Sequence, residues 1–325
     1  MRICVFGAGA IGGHLAGRLV KGGADVSVIA RGAHLAAIRA HGLRVIALDG
    51  DMHARLLATD DPATLGPQDA VIVALKAPGL PSLASAIAPL LGPETSVTFM
   101  MNGIPWWYYH AHGGPRNDTA LPRLDPGGAV QRAVGFARTI GGVVYSACTV
   151  VEPGVIKVEN ANNRFVLGEP DGTRSARIEA LAAALAAGGV AIEITERIRD
   201  SIWAKLLLNL GSGPLGVLTA SAPMEFYIED ACKAATHAVV AEAAAVAAAM
   251  GCRVSPKAEA QVRNGSSSMH KTSILQDLEL GRPMEVDALY TVPLEMARSC
   301  NVPTPTLDLL AALTRARARA AGLYT

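Results

Sequence analysis

Apolar and polar positions follow two different rhythms along this chain. Up to about residue 195, short unbroken apolar runs alternate with stretches whose apolar residues recur every three or four positions. The runs Arg2 to Phe6, Asp25 to Ala30, Leu43 to Leu48, Val71 to Leu75, Ser96 to Met101, Val143 to Val151, Val155 to Val158 and Ala191 to Thr195 read as strands. Gly13 to Val20, His34 to His41, Ser82 to Leu91 and Ser175 to Ala187 read as the helices between them, and Pro153-Gly154 as a hairpin-like turn. From Arg197 onward only the helical rhythm remains, over 200–210, 225–250, 255–263, 270–280, 285–299 and 304–321, punctuated by Gly251, Pro256, Gly281-Pro283 and Pro303-Pro305. The pattern predicts an α/β fold: a doubly wound, mostly parallel sheet over residues 1–196, followed by an all-helical second domain over 197–325. Residues 104–137 interrupt the alternation with Trp106-Trp107-Tyr108-Tyr109-His110 and a Gly/Pro-rich continuation. This stretch reads equally as a packed flap or as a substrate-side lid.

The first strand runs directly into Gly7-Ala8-Gly9-Ala10-Ile11-Gly12, a helix and a second strand, all within about 30 residues. In that setting G-x-G-x-x-G marks a Rossmann-type dinucleotide site. Gly7 permits the tight turn, Gly9 admits a pyrophosphate, Gly12 lets helix and strand approach, and the helix N-terminus offers free N–H groups to phosphate. The second strand ends at Arg31 with no Asp or Glu beside it, so a 2′-phosphate is the better match than a free 2′-hydroxyl, and NADP(H) is expected. A solvated surface arginine is the alternative. Lys76 and Asn102 follow two further strands at their carboxyl ends, where ligands of such sheets sit.

Composition narrows the field. With 29 basic against 28 acidic residues, the chain lacks the positive excess of a nucleic-acid surface. Five cysteines without C-x-x-C spacing suit reduced thiols in a cytoplasmic protein and imply no metal site. Met1-Arg2 leads straight into the first strand, so no leader is expected. Ala231 to Met250, broken by Lys233, His237 and Glu242, reads as a packing helix and not a membrane span.

In the helical half, Lys205 and Asn209 share one face of an apolar helix, where a lysine either snorkels to water or serves chemistry. Ser273 is a capping or solvated hydroxyl unless it meets a ligand, and Glu285 opens a helix whose dipole favours a carboxylate. No His holds a convincing position in the helical half, which disfavours a His/Arg-type hydroxyacid dehydrogenase, and His14, His34 and His237 read as surface or helix-face residues.

These pieces, taken in order, resemble the ketopantoate reductases (2-dehydropantoate 2-reductases) over nearly the whole chain. The matching residues are Gly7 to Gly12, Arg31, Leu75-Lys76-Ala77, Asn102-Gly103, Lys205-Leu206-x-x-Asn209, Ser273-x-Leu275-Gln276-Asp277 and Glu285-Val286-Asp287. The resemblance implies a site in the cleft between the two domains, NADPH as hydride donor and a 2-keto acid as acceptor. The expected product is (R)-pantoate, made for pantothenate biosynthesis. It further implies Lys205 as general acid, Glu285 as its partner holding substrate or cofactor, and Asn209 and Ser273 as substrate contacts. Asn102 would stand between nicotinamide and substrate, Lys76 near the cofactor, and Ala147 in backbone contact with the nicotinamide. A homodimer is expected by analogy. Gly213, His270 and Pro223 stand where the family pattern carries polar groups, and the 106–137 stretch is longer than that pattern leads one to expect. A related reductase of another branched or aromatic 2-keto acid, or a non-catalytic NADP(H)-sensing protein, are the alternative functions.

Overall fold

The computed structural model describes residues 1–160, 163–255, 260 and 269–325. It divides into two compact units, Met1–Met101 with Trp106–Ile198, and Asn102–Pro105 with Arg199–Thr325.

The first unit is built on strands β1 (Arg2–Phe6), β2 (Asp25–Ile29), β3 (Leu43–Ile46), β4 (Met52–Ala54), β5 (Leu57–Thr59) and β6 (Gln68–Val73). Six more follow: β7 (Leu91–Met100), β8 (Thr139–Tyr145), β9 (Cys148–Glu152), β10 (Val155–Val158), β11 (Arg164–Gly168) and β12 (Ala191–Ile194). Eight of them form one sheet in the order β12-β11-β8-β7-β6-β1-β2-β5, and every pairing is parallel except β8 with β11. Ile3 to Phe6 and Ala70 to Val73 are all buried, because a central parallel strand is covered on both faces and needs no polar alternation.

A second sheet, in the order β4-β3-β10-β9, was not expected from the sequence. The apolar run Leu43 to Leu48 joins this smaller sheet, not the main one. The run Val143 to Val151 breaks at Ser146-Ala147 and contributes a strand to each sheet. Of the helices α1 (Ala10–Lys21), α2 (Gly32–His41), α3 (Leu80–Ala86), α4 (Ala129–Val134) and α5 (Ala176–Ala187), α1 explains its glycines by lying against both sheets. A Cβ at Gly13 would meet Ile156 at 2.7 Å and one at Gly17 would meet Val45 at 2.7 Å, while Gly12 faces Gly7 and Ala74. Gly154 supports the tight antiparallel turn between β9 and β10 with φ +81°.

The aromatic stretch belongs to the core. Trp106, Trp107, Tyr108 and Tyr109 are all buried, and Trp106 stacks on Phe136 with ring centroids 5.4 Å apart. Trp107 fills the space that glycine leaves at position 141. The packed-flap reading of 104–137 therefore fits, and these rings are not a lid's contact surface.

His14 corrects the surface reading of the histidines, since it is fully buried. Arg18 Nε donates to His14 Nε2 (3.1 Å), and Arg18 also forms two 2.6 Å bonds with the Asp49 carboxylate. With Nε2 accepting, the ring proton sits on Nδ1, facing Ser146 Oγ at 3.2 Å. A second proton would point at the Arg18 N–H, and burial lowers the His14 pKa to about 4. All five cysteines are free. Burial lifts the Cys4 thiol to about 12 and Cys148 to about 11, which leaves both inert.

The second unit is helical. It contains α6 (Ile198–Thr219), Pro223–Phe226, Asp230–Ala249, Ser273–Glu279, Val292–Ser299 and Pro305–Ala320, while the expected helix at 255–263 lies largely outside the described residues. Helix α6 runs 22 residues, twice the expected 200–210, and continues through Pro214. Asp230–Ala249 is long and apolar enough to cross a bilayer by length and composition alone. In the structure it buries Val239, Val240, Ala243 and Val246, and its Glu242 carboxylate accepts bonds from the Thr306 and Leu307 amides (3.0 and 2.8 Å). Glu242 thus satisfies the open N-terminus of the last helix.

Candidate functional site

The glycine loop is held in place by its neighbours. Gly7 adopts φ +102°, and the amides of Gly7 and Ala8 both donate to the Ile29 carbonyl (3.0 and 3.1 Å). His34 Nε2 donates to the Ala8 carbonyl (2.7 Å), while its Nδ1 accepts from the Gly154 amide (2.9 Å). The ring therefore ties the loop to the β9–β10 turn, a second correction to the surface reading. Any Cβ at Gly12 would collide with the Gly7 carbonyl oxygen, whereas a Cβ at Gly9 would meet nothing within 4 Å. Gly12 is demanded by packing, and Gly9 leaves space open at a helix N-terminus.

That N-terminus has no side-chain cap and no acidic residue in its first turn, where Ala10 and Ile11 sit partly buried. A cavity of about 220 Å³ opens here, lined by Gly7 to Gly9, Ile29 to Arg31, His34, Leu75 and Ser82. Unused N–H groups, a positive dipole end and the space above Gly9 fit a pyrophosphate. Arg31 stands exposed at the end of β2, and no carboxylate lines the cavity. These residues fit a phosphorylated dinucleotide. Ser82 and His34 are contributions that no local sequence pattern signalled.

Two expected contacts do not line this cavity. Lys76 is exposed and is not among the cavity-lining residues. The Ala147 amide donates to Asn160 Oδ1 (2.9 Å) and its carbonyl accepts from the Glu159 amide (2.8 Å), so its backbone is already engaged.

The remaining candidates all fall in the second unit. Lys205 and Asn209 lie one turn apart on α6, among the buried Trp203, Leu206, Leu207 and Leu210. Lys205 is partly buried, and the loss of hydration lowers its pKa from 10.5 to about 8. The Nδ2 of Asn209 is buried and has no hydrogen-bond partner among the described residues. Leaving such a donor unmade costs about 1–3 kcal/mol, a cost a bound ligand would relieve.

Glu285 is buried, only 4% exposed, just before a π-helical turn over Asp287–Thr291. The Val292 amide reaches back five residues to the Asp287 carbonyl, and Pro293 has no N–H to give. The Ala288 carbonyl is thereby freed and accepts the Ile104 amide at 2.9 Å. Gly103 fits against it with φ +77°, since a Cβ there would come within 2.5 Å of the same oxygen. This clasp ties the Asn102–Pro105 segment, with the partly buried Asn102, to the turn beyond Glu285. Such turns often mark functional sites.

Ser273 is the exposed first residue of its helix, while the neighbouring Thr272 hydroxyl is buried without a partner among the described residues. Tyr290 occupies the space beside Gly213, where a Cβ would come within 2.6 Å of its hydroxyl. The sequence pointed to Ser273 within the Thr272–Asp277 stretch and gave no signal for Tyr290. His270 lies 3.4 Å from Gln276 Nε2, and Pro223 opens a short helix. Among the described residues no cluster of three or more His, Cys, Asp or Glu could hold a metal ion.

Comparison with known proteins completes the picture. The family model described as "Ketopantoate reductase PanE/ApbA" matches residues 3–110, and "Ketopantoate reductase PanE/ApbA C terminal" matches residues 197–318. A 2-dehydropantoate 2-reductase of Mesorhizobium japonicum is 44% identical over 328 residues, covering 100% of both chains. A solved candidate ketopantoate reductase from Ralstonia solanacearum MolK2 superposes with TM-score 0.90 at 40% identity, over 99% of each chain. The 2-dehydropantoate 2-reductase of Geobacter metallireducens GS-15 superposes with TM-score 0.85 at 26% identity, over 97% of this chain and 99% of its own.

Proposed function

Because the chain belongs to the ketopantoate reductase family of NAD(P)-dependent oxidoreductases, we propose that it reduces 2-dehydropantoate to (R)-pantoate with NADPH. The observation that carries this reading is Lys205, an amine tuned by burial to about 8 and set one turn from an unpartnered amide donor. Gly7 to Gly12 and the α1 N-terminus would hold the pyrophosphate, and Arg31 the 2′-phosphate. Arg31 at the cavity's edge, with no carboxylate beside it, supports NADPH over NADH.

When bound, the nicotinamide supplies a hydride to the ketone carbon. Lys205 polarises the ketone oxygen through its ammonium and releases one proton to it as the C–O double bond becomes a single bond. The amine is then neutral and regains its proton from solvent. Asn209, Asn102 and Ser273 orient the substrate by hydrogen bonds, and the Glu285 carboxylate fixes substrate or cofactor near the reacting carbon. A charged lysine partly withdrawn from water lowers stability, which serves a catalyst and gives a nucleotide sensor nothing. The second reading, another 2-keto acid as substrate, rests on Gly213 standing where the family pattern carries a polar side chain.

The test is NADPH oxidation, followed by the cofactor's absorbance, with a panel of 2-keto acids including 2-dehydropantoate. Preferred turnover of 2-dehydropantoate is the expected result. Preference for another member moves the substrate and keeps the chemistry. NADPH binding without turnover of any member overturns the reading.

A further inference from the structure

Lys205, Asn209 and Gly213 follow one another at four-residue intervals on α6, so they form a single stripe. Each step advances about 6 Å along the helix axis. The first two positions of the stripe carry an ammonium and an amide whose Nδ2 has no partner among the described residues. The third carries no side chain, and the Tyr290 hydroxyl takes its place, 2.6 Å from where a Cβ at 213 would lie. Gly213 and Tyr290 are thus a matched pair: a Cβ at 213 would force the phenol hydroxyl to shift.

Tyr290 is fully buried, and its hydroxyl has no hydrogen-bond partner among the described residues. Burial and the nearby Glu285 carboxylate both raise its pKa, so the hydroxyl keeps its proton and remains a donor. An apolar filler of that volume would serve packing better, since a buried hydroxyl left unmade costs stability. Phenylalanine would fill the space without that cost.

From this stripe the geometry points to a substrate-specificity role for Tyr290: its hydroxyl hydrogen-bonds the polar group at the end of the substrate remote from the reacting ketone. The inference rests on the reading that the protein reduces 2-dehydropantoate, whose remote polar group is its primary hydroxyl. Lys205 meets the ketone oxygen at one end of the stripe, Asn209 lies between, and Tyr290 reads the far end. A site that hydrogen-bonds a substrate hydroxyl discriminates against the analogue lacking it, because its own polar group is then left unpaired.

The experiment compares wild type with Tyr290→Phe on two substrates, 2-dehydropantoate and its deoxy analogue 3,3-dimethyl-2-oxobutanoate. Tyr290→Phe is expected to lower kcat/KM for 2-dehydropantoate about tenfold, mainly through KM, and to leave the deoxy analogue within about twofold. Equal effects on the two substrates, or no effect on either, would overturn the role. Wild-type turnover of 2-dehydropantoate tests the underlying function separately. Melting of the ligand-free protein supplies a readout that needs no activity. Tyr290→Phe should melt as high as wild type or about 2 °C higher, having shed an unsatisfied hydroxyl. A clear drop in melting temperature would show that the hydroxyl has a structural partner, and would overturn the proposal whatever the substrate proves to be.

Discussion

Replacing Lys205 by methionine separates what the buried amine costs from what it does. Its pKa lies at about 8 against 10.5 for an ordinary lysine. The folded protein therefore binds this proton less tightly than the unfolded chain does. Across the window from about 8 to 10.5 the unfolded chain holds more protons, so stability contributed at this position rises with pH there. Below about 8 the full cost of the charged amine is present. A gap of roughly 2.5 units, at 1.36 kcal/mol each, sets that cost at up to about 3 kcal/mol. Lys205→Met keeps most of the side chain's length and removes the charge, so it should melt several degrees higher than wild type at neutral pH. Turnover should fall about 10²–10⁴-fold, the usual contribution of a positioned general acid. In wild type, the rate of ketone reduction should be flat below pH 8 and fall tenfold per unit above it. At pH 9 only about 10 percent of such an amine is protonated, against about 97 percent of an ordinary lysine. The assays are thermal melting and a pH profile of kcat/KM. A profile flat to pH 10, or a methionine variant that keeps its turnover, would refute the role.

Three further outcomes follow from the first unit. Arg31→Ala should weaken NADPH about 10–100-fold and leave NADH nearly unchanged, because only the former carries the 2′-phosphate; equal losses in fluorescence titration would refute the assignment. Gly9→Ala and Gly12→Ala should part company. A methyl at Gly9 enters open space and should weaken NADPH without changing the melting temperature, whereas one at Gly12 strikes the Gly7 carbonyl and should lower both. Identical melting curves for the two variants would contradict this packing. His14, at about 4 when folded against 6.5 unfolded, gives stability that is complete above pH 6.5 and is lost as pH falls toward 4, by about 3 kcal/mol. Urea midpoints that do not fall between pH 7 and pH 4.5 would show that the ring protonates freely.

What the sequence reveals depends on whether a residue's neighbours lie along the chain or across it. Gly7 and Gly12 were legible because strand, turn and helix that constrain them lie within one short segment. Lys205 and Asn209 were legible because a charge and an amide on an apolar helix face contradict the local rhythm. His14 and His34 were not, since their partners Ser146 and Gly154 come more than a hundred residues later, from the loop before β9 and the turn after it, in a second sheet's connections that apolar runs alone cannot distinguish from the first. The aromatic run Trp106 to Tyr109 was ambiguous for the same reason: an apolar ring looks alike on a lid and in a core until its cover, Phe136 and Gly141, is in place. Gly213 and Tyr290 carry this furthest. In the sequence Gly213 reads as a lost side chain and Tyr290 draws no notice, and only the fit of the hydroxyl into the space a Cβ at 213 would take makes them one feature. A substitution that removes a polar group from a site is therefore not by itself evidence of lost chemistry. The vacated volume must be filled, and what fills it here carries a hydroxyl where a phenyl ring would pack at lower cost.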